Sequence, residues 1–556
     1  MSVDNRYRHL SFEKFCDVYK ELLAGNGISP HLFRSLHYKL ENEVYDAGDY
    51  FMLTRDEEED HLKAVASCED GIRVSDANAI FLIDHAWTYR IRSARQQLCE
   101  IPGLLPRIAE IMGFSVHGEV FNADDDIVNE VMRKLWKYSQ TYTINDAPTE
   151  EKTPVWYVMD EFGSRVRHSD HPTVAIVPFF YQPTQTPYSL MWLLEDLDCG
   201  DEATRDYANW EKDSLLRKCK LLPWQPEDLT HVSTESDRYK FSKETIPDDE
   251  CGEVAGKTRL KLYMPIYSEL LTNVMNFELV EEPAEADVIF TEQRIKDFKK
   301  YSQECPNVWL NQFPCEQLLS CKDFFIDIGR RSSSNGTAPP WLPVSFDLQT
   351  EFPQFLSYFQ HNAASKLDQN CWICKPWSLS RALGIHVSNS LDEIVRLRET
   401  NIPMVACKYI EDPVLIRCGD EAPAVKFDIK FVLLVTSFRP LKVHCWEGFT
   451  VRCANKGFAL NNFDDYEQHF TIMPYGGFNS NFDWMDPDEF IERFQTQHED
   501  TKWEDVVKNI YKCINAFMKS SVARPIPFGV GQYSRSRAIY SADVMLEWKT
   551  NEETGL

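Results

Sequence analysis

The stretch Lys426-Phe-Asp-Ile-Lys430-Phe, running on into Val432–Val435, constrains this chain more than any other. A β-strand sends successive side chains to opposite faces. The alternation therefore puts Lys426, Asp428 and Lys430 on one face, and Phe427, Ile429 and Phe431 on the other. The apolar face calls for a core. The charged face reads either as a solvated edge of mixed charge or as part of a site, and the strand alone favours neither.

Other segments tip the balance. Trp372–Pro376 is an apolar strand ending in Lys375-Pro376, followed by the loop Trp377–Leu383 and then Gly384-Ile385. A lysine at a strand end before such a loop suits phosphate, because an ammonium then stands beside backbone N–H donors. Val405–Ile410, containing Cys407, Lys408, Tyr409 and Ile410, reads as a strand that turns at Glu411-Asp-Pro413. Its terminal backbone groups are placed to read an adenine edge. Ala538–Trp548 reads as a strand with one internal acid, Asp543, which calls for a partner or a metal ion. Together these parts describe an ATP site built from two lysine-bearing strands and a carboxylate for Mg2+.

Organisation follows from periodicity. Phe12, Phe15, Val18, Tyr19 and Leu22 recur at helical spacing, Pro30 opens a second helix, and a third is expected over about Ala77–Leu98. Residues 1–150 are accordingly read as a helical region. Val155–Met159 and Val174–Tyr181 are strand-like, so 151–224 is read as a β-rich unit. The polar stretch 225–258 is read as a linker, and 259–556 as an α/β domain with a helix at Tyr267–Asn276. The acidic run Asp56–Asp60 reads as solvated surface.

Composition narrows the class. Of 556 residues, 43% are hydrophobic and 13% aromatic, which excludes global disorder. The formal net charge of −28 disfavours nucleic acid and membrane surfaces as partners. With no apolar span or secretory leader in view, the 16 cysteines read as reduced thiols of a cytosolic or nuclear protein, where the sequon at Asn335–Thr337 has no role. Two motifs lack the context their chemistry needs. Gly252–Thr258 has three residues between its glycines where a P-loop has four. Cys371-Trp-Ile-Cys374 sits on a strand without a second cysteine pair, which reads as structural thiols.

The set Asn311-Gln-Phe-Pro314, Lys322-Asp323, Trp341-x-Pro343, Trp372-Ile-Cys-Lys375-Pro376, Arg381-Ala-Leu-Gly384-Ile385, Lys408-Tyr-Ile410, Lys426-Phe-Asp428-Ile-Lys430 and Asp543 resembles the tubulin–tyrosine-ligase-like family. Upstream, Arg167-His-Ser-Asp-His-Pro-Thr173 and Gly200-Asp-Glu-Ala-Thr-Arg-Asp-Tyr207 resemble SET-domain motifs. The resemblance implies an α+β and α/β chain: a helical and β-rich SET-like unit, then an ATP-grasp-type ligase-like domain. It implies ATP and Mg2+ as cofactors. Lys322, Lys375, Cys407, Lys408, Tyr409, Ile410, Lys426 and Asp428 would bind ATP. Lys426, Asp428, Lys430 and Arg452 would serve catalysis, and Asp543 the metal. The implied partners are tubulin and microtubules, with histone or chromatin factors for the SET-like unit. The implied location is the cytoplasm with its cytoskeleton, beside a nuclear pool. The family reaction would be an ATP-dependent ligation of an amino acid through an acyl phosphate.

Departures from the pattern point to weakened chemistry. Arg167, Asp170 and Thr173 replace Asn, Cys and Asn of the SET motif, which disfavours methyl transfer. Ala382 replaces a glycine, Cys407 a glutamine and Lys430 an arginine, and Lys549–Leu556 lacks the family's Glu-x-Asn. The expectation is a tubulin-binding regulator with impaired or absent ligase activity, against the alternative of an active ATP-dependent tubulin–amino-acid ligase. A basic surface around Lys296–Lys300, Arg330-Arg331 and Arg452 is expected to make the tubulin contact.

Overall fold

The computed structural model describes residues 9–55, 62–116, 118, 120–143, 153–235, 240–245, 259–266, 277–305, 307–333, 338–366, 368–380, 382–419, 421–471 and 484–549. The acidic run 56–60, the glycine-rich 252–258, the helix expected over 267–276, the sequon 335–337 and the tail beyond Lys549 lie outside them. The chain forms two compact units. One comprises Met1–His231 with Ser390–Asn401, and the other Val232–Asn389 with Ile402–Leu556. No described helix is long and apolar enough to cross a membrane.

In the first unit, helices Phe12–Gly25 and Phe33–Asn42 bury Phe15, Tyr19, Leu23, Leu36 and Leu40. They pack against a three-stranded antiparallel sheet ordered Ile80–Ile83, Thr186–Leu193, Val174–Tyr181. Pro30 opens a short 3-10 turn that runs into the second helix, and Val18 and Leu22 of the first helix are exposed. A second sheet pairs Val155–Met159 with His85–Tyr89 and Ser139–Tyr142.

The expected helix over Ala77–Leu98 is replaced by strands Ile80–Ile83 and His85–Tyr89, and the helix itself covers only Ile91–Glu100. All four residues of Ile80–Ile83 are buried. A strand buried on both faces has no alternation, so its continuous apolar run mimics a helix segment. Residues 1–150 therefore mix helices with strands, and their strands pair with those of 151–224.

Helix Leu391–Leu397 belongs to this unit, although the strands flanking it in sequence, His386–Ser388 and Met404–Lys408, belong to the other. Its Arg396 is 1% exposed, pairs with Glu399 at 2.5 Å, donates to the Ser139 carbonyl and lies 4.7 Å over the Trp224 ring.

Among the described residues, the second unit holds three sheets. A parallel sheet is ordered Phe277–Val280, Leu260–Tyr263, Val288–Ile289, Trp309–Leu310. An antiparallel sheet is ordered Ser345–Asp347, Met404–Lys408, Trp372–Pro376, His386–Ser388. The third centres on the long hairpin Ala424–Phe438 and Leu441–Gly457. Leu415–Arg417 and Ala538–Val544 also pair with the first strand of that hairpin. Phe427, Ile429 and Phe431 enter a core with Phe490, Phe494, Trp503 and Ile510 of helices Pro487–Gln497 and Trp503–Val522. Part of the expected linker is built into this unit, where Ser242 and Glu244 are buried.

Breaking a buried ion pair from one side costs about 3–5 kcal/mol, because the surviving charge is stranded. Arg396→Met is therefore expected to destabilise the first unit by about that amount. Arg396→Met/Glu399→Leu should recover much of the loss. Urea unfolding of the three proteins checks this.

Candidate functional site

The small antiparallel sheet sorts its residues by register. Lys375 lies opposite Val405, and Ile373 opposite Cys407, so Lys375 and Cys407 share a face. Trp372 and Cys374 face the other way, with Trp372 set against Phe346, Phe355 and Tyr358. Lys408 lies opposite Trp372 and turns its ammonium to Glu411 at 2.8 Å and Asp368 at 3.1 Å. Its charge is thus spent away from Lys375, which leaves only main-chain groups of Lys408 and Ile410 for the site. Tyr409 is buried and faces Lys426.

Lys426 is 2% exposed. Its Nζ donates to the Tyr409 hydroxyl at 2.7 Å and lies 4.1 Å from the centre of that ring. His469 Nδ1 stands 3.0 Å from the same hydroxyl. Lys322 donates from Nζ to the Leu379 carbonyl at 2.7 Å. Burial, and then the neighbouring Lys375 charge, push Lys426 down to about 7 and Lys322 down to about 8. No described carboxylate forms an ion pair with Lys322, Lys375 or Lys426. Lys426 is buried and Lys322 and Lys375 are half-buried, with Asp428 and Asp323 acting on Lys426 and Lys322 only through space rather than by an ion pair. Amines so placed have the chemistry to accept a multivalent anion such as a di- or triphosphate.

The loop beyond Lys375 carries a strain that its residue types made visible. Ala382 sits at φ 56° and Gly384 at φ 65°. Holding a non-glycine residue in the left-handed region costs about 1 kcal/mol.

The acids are engaged. Asp428 accepts from Arg452 Nε at 2.7 Å and from the Thr471 hydroxyl. Asp543 lies 3.2 Å from Arg452 and 3.6 Å from Lys430, its register partner. Among the described residues no group of three His, Cys, Asp or Glu side chains converges as a metal site. Mg2+ takes near-octahedral oxygen coordination, usually through one or two carboxylates plus phosphates and water. Two carboxylates already neutralised by Arg452 and Lys430 do not fit that ion as arranged. The residues fit the phosphates of ATP better than its metal.

In the first unit the two SET-like segments lie side by side, with Thr204 and Arg205 opposite Arg167 and His168 in parallel register. Arg167 makes a two-pronged pair with Glu202 at 2.7 and 2.9 Å. Arg217 bridges Asp170 at 2.6 Å and Asp206 at 2.9 Å. The position where an amide is expected is thus filled by a guanidinium locked to a carboxylate. Cys374 is buried on strand Trp372–Pro376 and Cys371 is buried just before it, and burial pushes the Cys371 thiol up to about 12, which fits structural thiols.

The expected basic surface does not form as a whole. Arg330 pairs with Glu351 at 2.7 Å and Arg331 with Asp327 at 2.6 Å. Arg452 is buried against the buried Asp428 and reaches the exposed Asp543. Lys296, Lys299 and Lys300 are exposed. Three participants carry no sequence signal that marks them: His469 ends a helix of only four residues, Thr471 lies two residues beyond it, and Lys240 falls in the polar stretch. Only the three-dimensional fold brings them in.

The two units are a SET-like fold followed by an ATP-grasp-type fold. Residues 54–228 match the tubulin tyrosine ligase SET-like domain, and residues 300–552 match the tubulin-tyrosine ligase family. Tubulin–tyrosine ligase-like protein 12 of Mus musculus is 40% identical over 97% of this chain and 89% of its own length. The Homo sapiens protein of that name is 41% identical over 96% and 87%, and the Caenorhabditis elegans one 29% identical over 97% and 92%. This chain belongs to the tubulin–tyrosine ligase family.

The lysine cluster generates a pH prediction. A bound polyanion raises the amine pKa values, so binding takes up protons where the free amines are neutral. Affinity for inorganic tripolyphosphate is expected to be highest at and below pH 7 and to fall as pH rises through about 7 and 8, the values to which Lys426 and Lys322 are lowered. Calorimetry in buffers of different ionisation enthalpy measures both the affinity and the proton uptake.

Proposed function

We propose that this chain is a ligase-like regulator of tubulin modification that binds ATP through its phosphates and has little or no ligase activity. The observation that carries this reading is the contrast between two halves of one site. Lys322, Lys375 and Lys426 are gathered without carboxylate partners among the described residues, and burial lowers Lys426 and Lys322. Asp428 and Asp543 are held by Arg452 and Lys430. ATP-dependent ligation depends on placing cations and metal against the charge that develops on the transferring phosphoryl group. A site that keeps the amines and neutralises its carboxylates supports holding the nucleotide more than reacting it.

In this reading Lys375 and Lys426 hold phosphates from two strands, and Lys322 closes the third side. Tyr409 supplies Lys426 with an uncharged partner, so the amine stays available to an incoming anion. Arg452 orients Asp428, and Lys430 shields Asp543. The relatives' names point to tubulin as the partner, and the cytoplasm with its cytoskeleton is the setting that goes with it. Competing with active ligases for tubulin would then be the means of regulation.

Purified chain, ATP, tubulin and labelled tyrosine, glutamate or glycine test the ligase half. The expected result is ATP binding with no ATP-dependent incorporation, and robust incorporation would overturn the reading. Tubulin co-sedimentation tests the partner. Lys296, Lys299 and Lys300 form the exposed basic cluster, so reversing them together to Glu is expected to reduce tubulin binding about tenfold at low salt, with a smaller effect as salt rises. Unchanged binding would place the contact elsewhere.

A further inference from the structure

We propose that Lys240 is a positioning residue for the anion site: lodged between Asp323 and Asp347 and stacked on Trp377, it fixes Trp377 and Leu379 in register with Lys322. The inference rests on the proposed phosphate role of Lys322, Lys375 and Lys426 and adds to it a residue more than eighty positions upstream of them all.

Lys240 Nζ lies 3.0 Å from Asp323 Oδ2 and 2.5 Å from Asp347 Oδ2. Both carboxylate side chains are 4% exposed. The same ammonium stands 4.3 Å from the centre of the Trp377 ring. Trp377 is held from its other sides as well. Its indole N–H donates to Asp347 Oδ1 at 3.2 Å, its backbone N–H to the Pro403 carbonyl at 3.0 Å, and its carbonyl accepts from the Lys322 N–H at 3.1 Å. Two residues further along the loop, the Leu379 carbonyl accepts from Lys322 Nζ.

Lys240 therefore ties together the parts that define the site. Asp323 follows Lys322 in the first turn of helix Lys322–Arg330. Asp347 lies opposite Val405, which in turn lies opposite Lys375. Trp377 begins the loop after Lys375. Two buried carboxylates sharing one cation are stable only while that cation is present. Without it they repel each other or take up a proton, and the Trp377 indole loses a fixed acceptor.

The segment that delivers Lys240 is anchored for the task. The Lys240 N–H donates to Asp327, the Ser242 N–H to the Pro527 carbonyl at 2.9 Å, and Glu244 pairs with Arg294 at 2.5 Å. The ammonium of Lys240 is already neutralised by two acids, so it adds no net attraction for phosphate. Its effect passes through the loop and Lys322, where a shift of about 1 Å is enough to matter greatly.

Titration of the full chain with inorganic tripolyphosphate tests the proposal. Lys240→Met is expected to weaken binding about tenfold and Lys240→Arg to restore it to within about threefold of wild type. Trp377 emission, taken as the difference from Trp377→Phe, should move to longer wavelength in Lys240→Met and return in Lys240→Arg. Should Lys240→Met not fold, Asp347→Asn weakens the same latch from the other side and is expected to lose affinity likewise. Wild-type affinity in the folded variant overturns the positioning role and leaves the anion site standing. Absence of tripolyphosphate binding by the wild type overturns the anion site and this role together.

Discussion

The second unit depends on a strand that must satisfy an apolar core and a buried charge from opposite faces. Phe427, Ile429 and Phe431 are held by Phe490, Phe494 and Trp503. A one-residue slip would turn those rings toward the site and drive the lysines into the core, so the aromatic packing fixes the register of Lys426 and Asp428. Burial of Lys426 is then imposed by the core rather than chosen locally. Its neutral form is favoured, and stability contributed by this group rises as pH climbs from about 7 toward the ordinary 10.5.

How much of this is legible in the sequence depends on whether periodicity or long-range contact carries the feature. The two faces of Ala424–Phe438, the strand Trp372–Pro376 and the segments of the SET-like unit have local patterns, and their motifs are specific as a set. Ile80–Ile83 has no alternation because both its faces are buried, so it reads as helix. Lys408 sits in a strong motif, yet strand parity sends it to Glu411 and Asp368. Arg330 and Arg331 form a basic dipeptide in the sequence, but the fold supplies each with an acid. Lys240 lies in a stretch whose composition reads as linker, and nothing within a local window shows that Asp323 and Asp347 wait for it.

The site's cations and acids fall into three arrangements with different meanings. Lys322, Lys375 and Lys426 form no ion pair with a described carboxylate and, in the proposed reading, await an external charge. Lys430, Arg452, Asp428 and Asp543 neutralise one another, so an incoming metal or substrate would have to break existing pairs. Lys240, half-buried, is neutralised by the buried Asp323 and Asp347, and its proposed role is geometry. Replacing Lys426 by an apolar residue would remove a desolvated amine and stabilise the fold. Replacing Lys240 would strand two acids and weaken it. The same residue type therefore gives opposite signs of stability change within one site, and the sign separates a binding amine from a structural one.

The net charge of −28 does not conflict with an anion site of this kind. Exposed acids act through water and salt, where fields fade within about 8 Å at physiological ionic strength. The three amines act at short range in a partly dehydrated space, where each charge is screened far less. A small polyanion feels the cluster once it is inside, whereas an extended acidic polypeptide feels the whole surface. For an acidic partner the repulsion is relieved only where exposed cations gather. With Arg330 and Arg331 paired and Arg452 buried, that role falls to Lys296, Lys299 and Lys300. In the proposed reading, nucleotide and protein partner would be read by separate sets of cations, one recessed for affinity and one exposed for encounter.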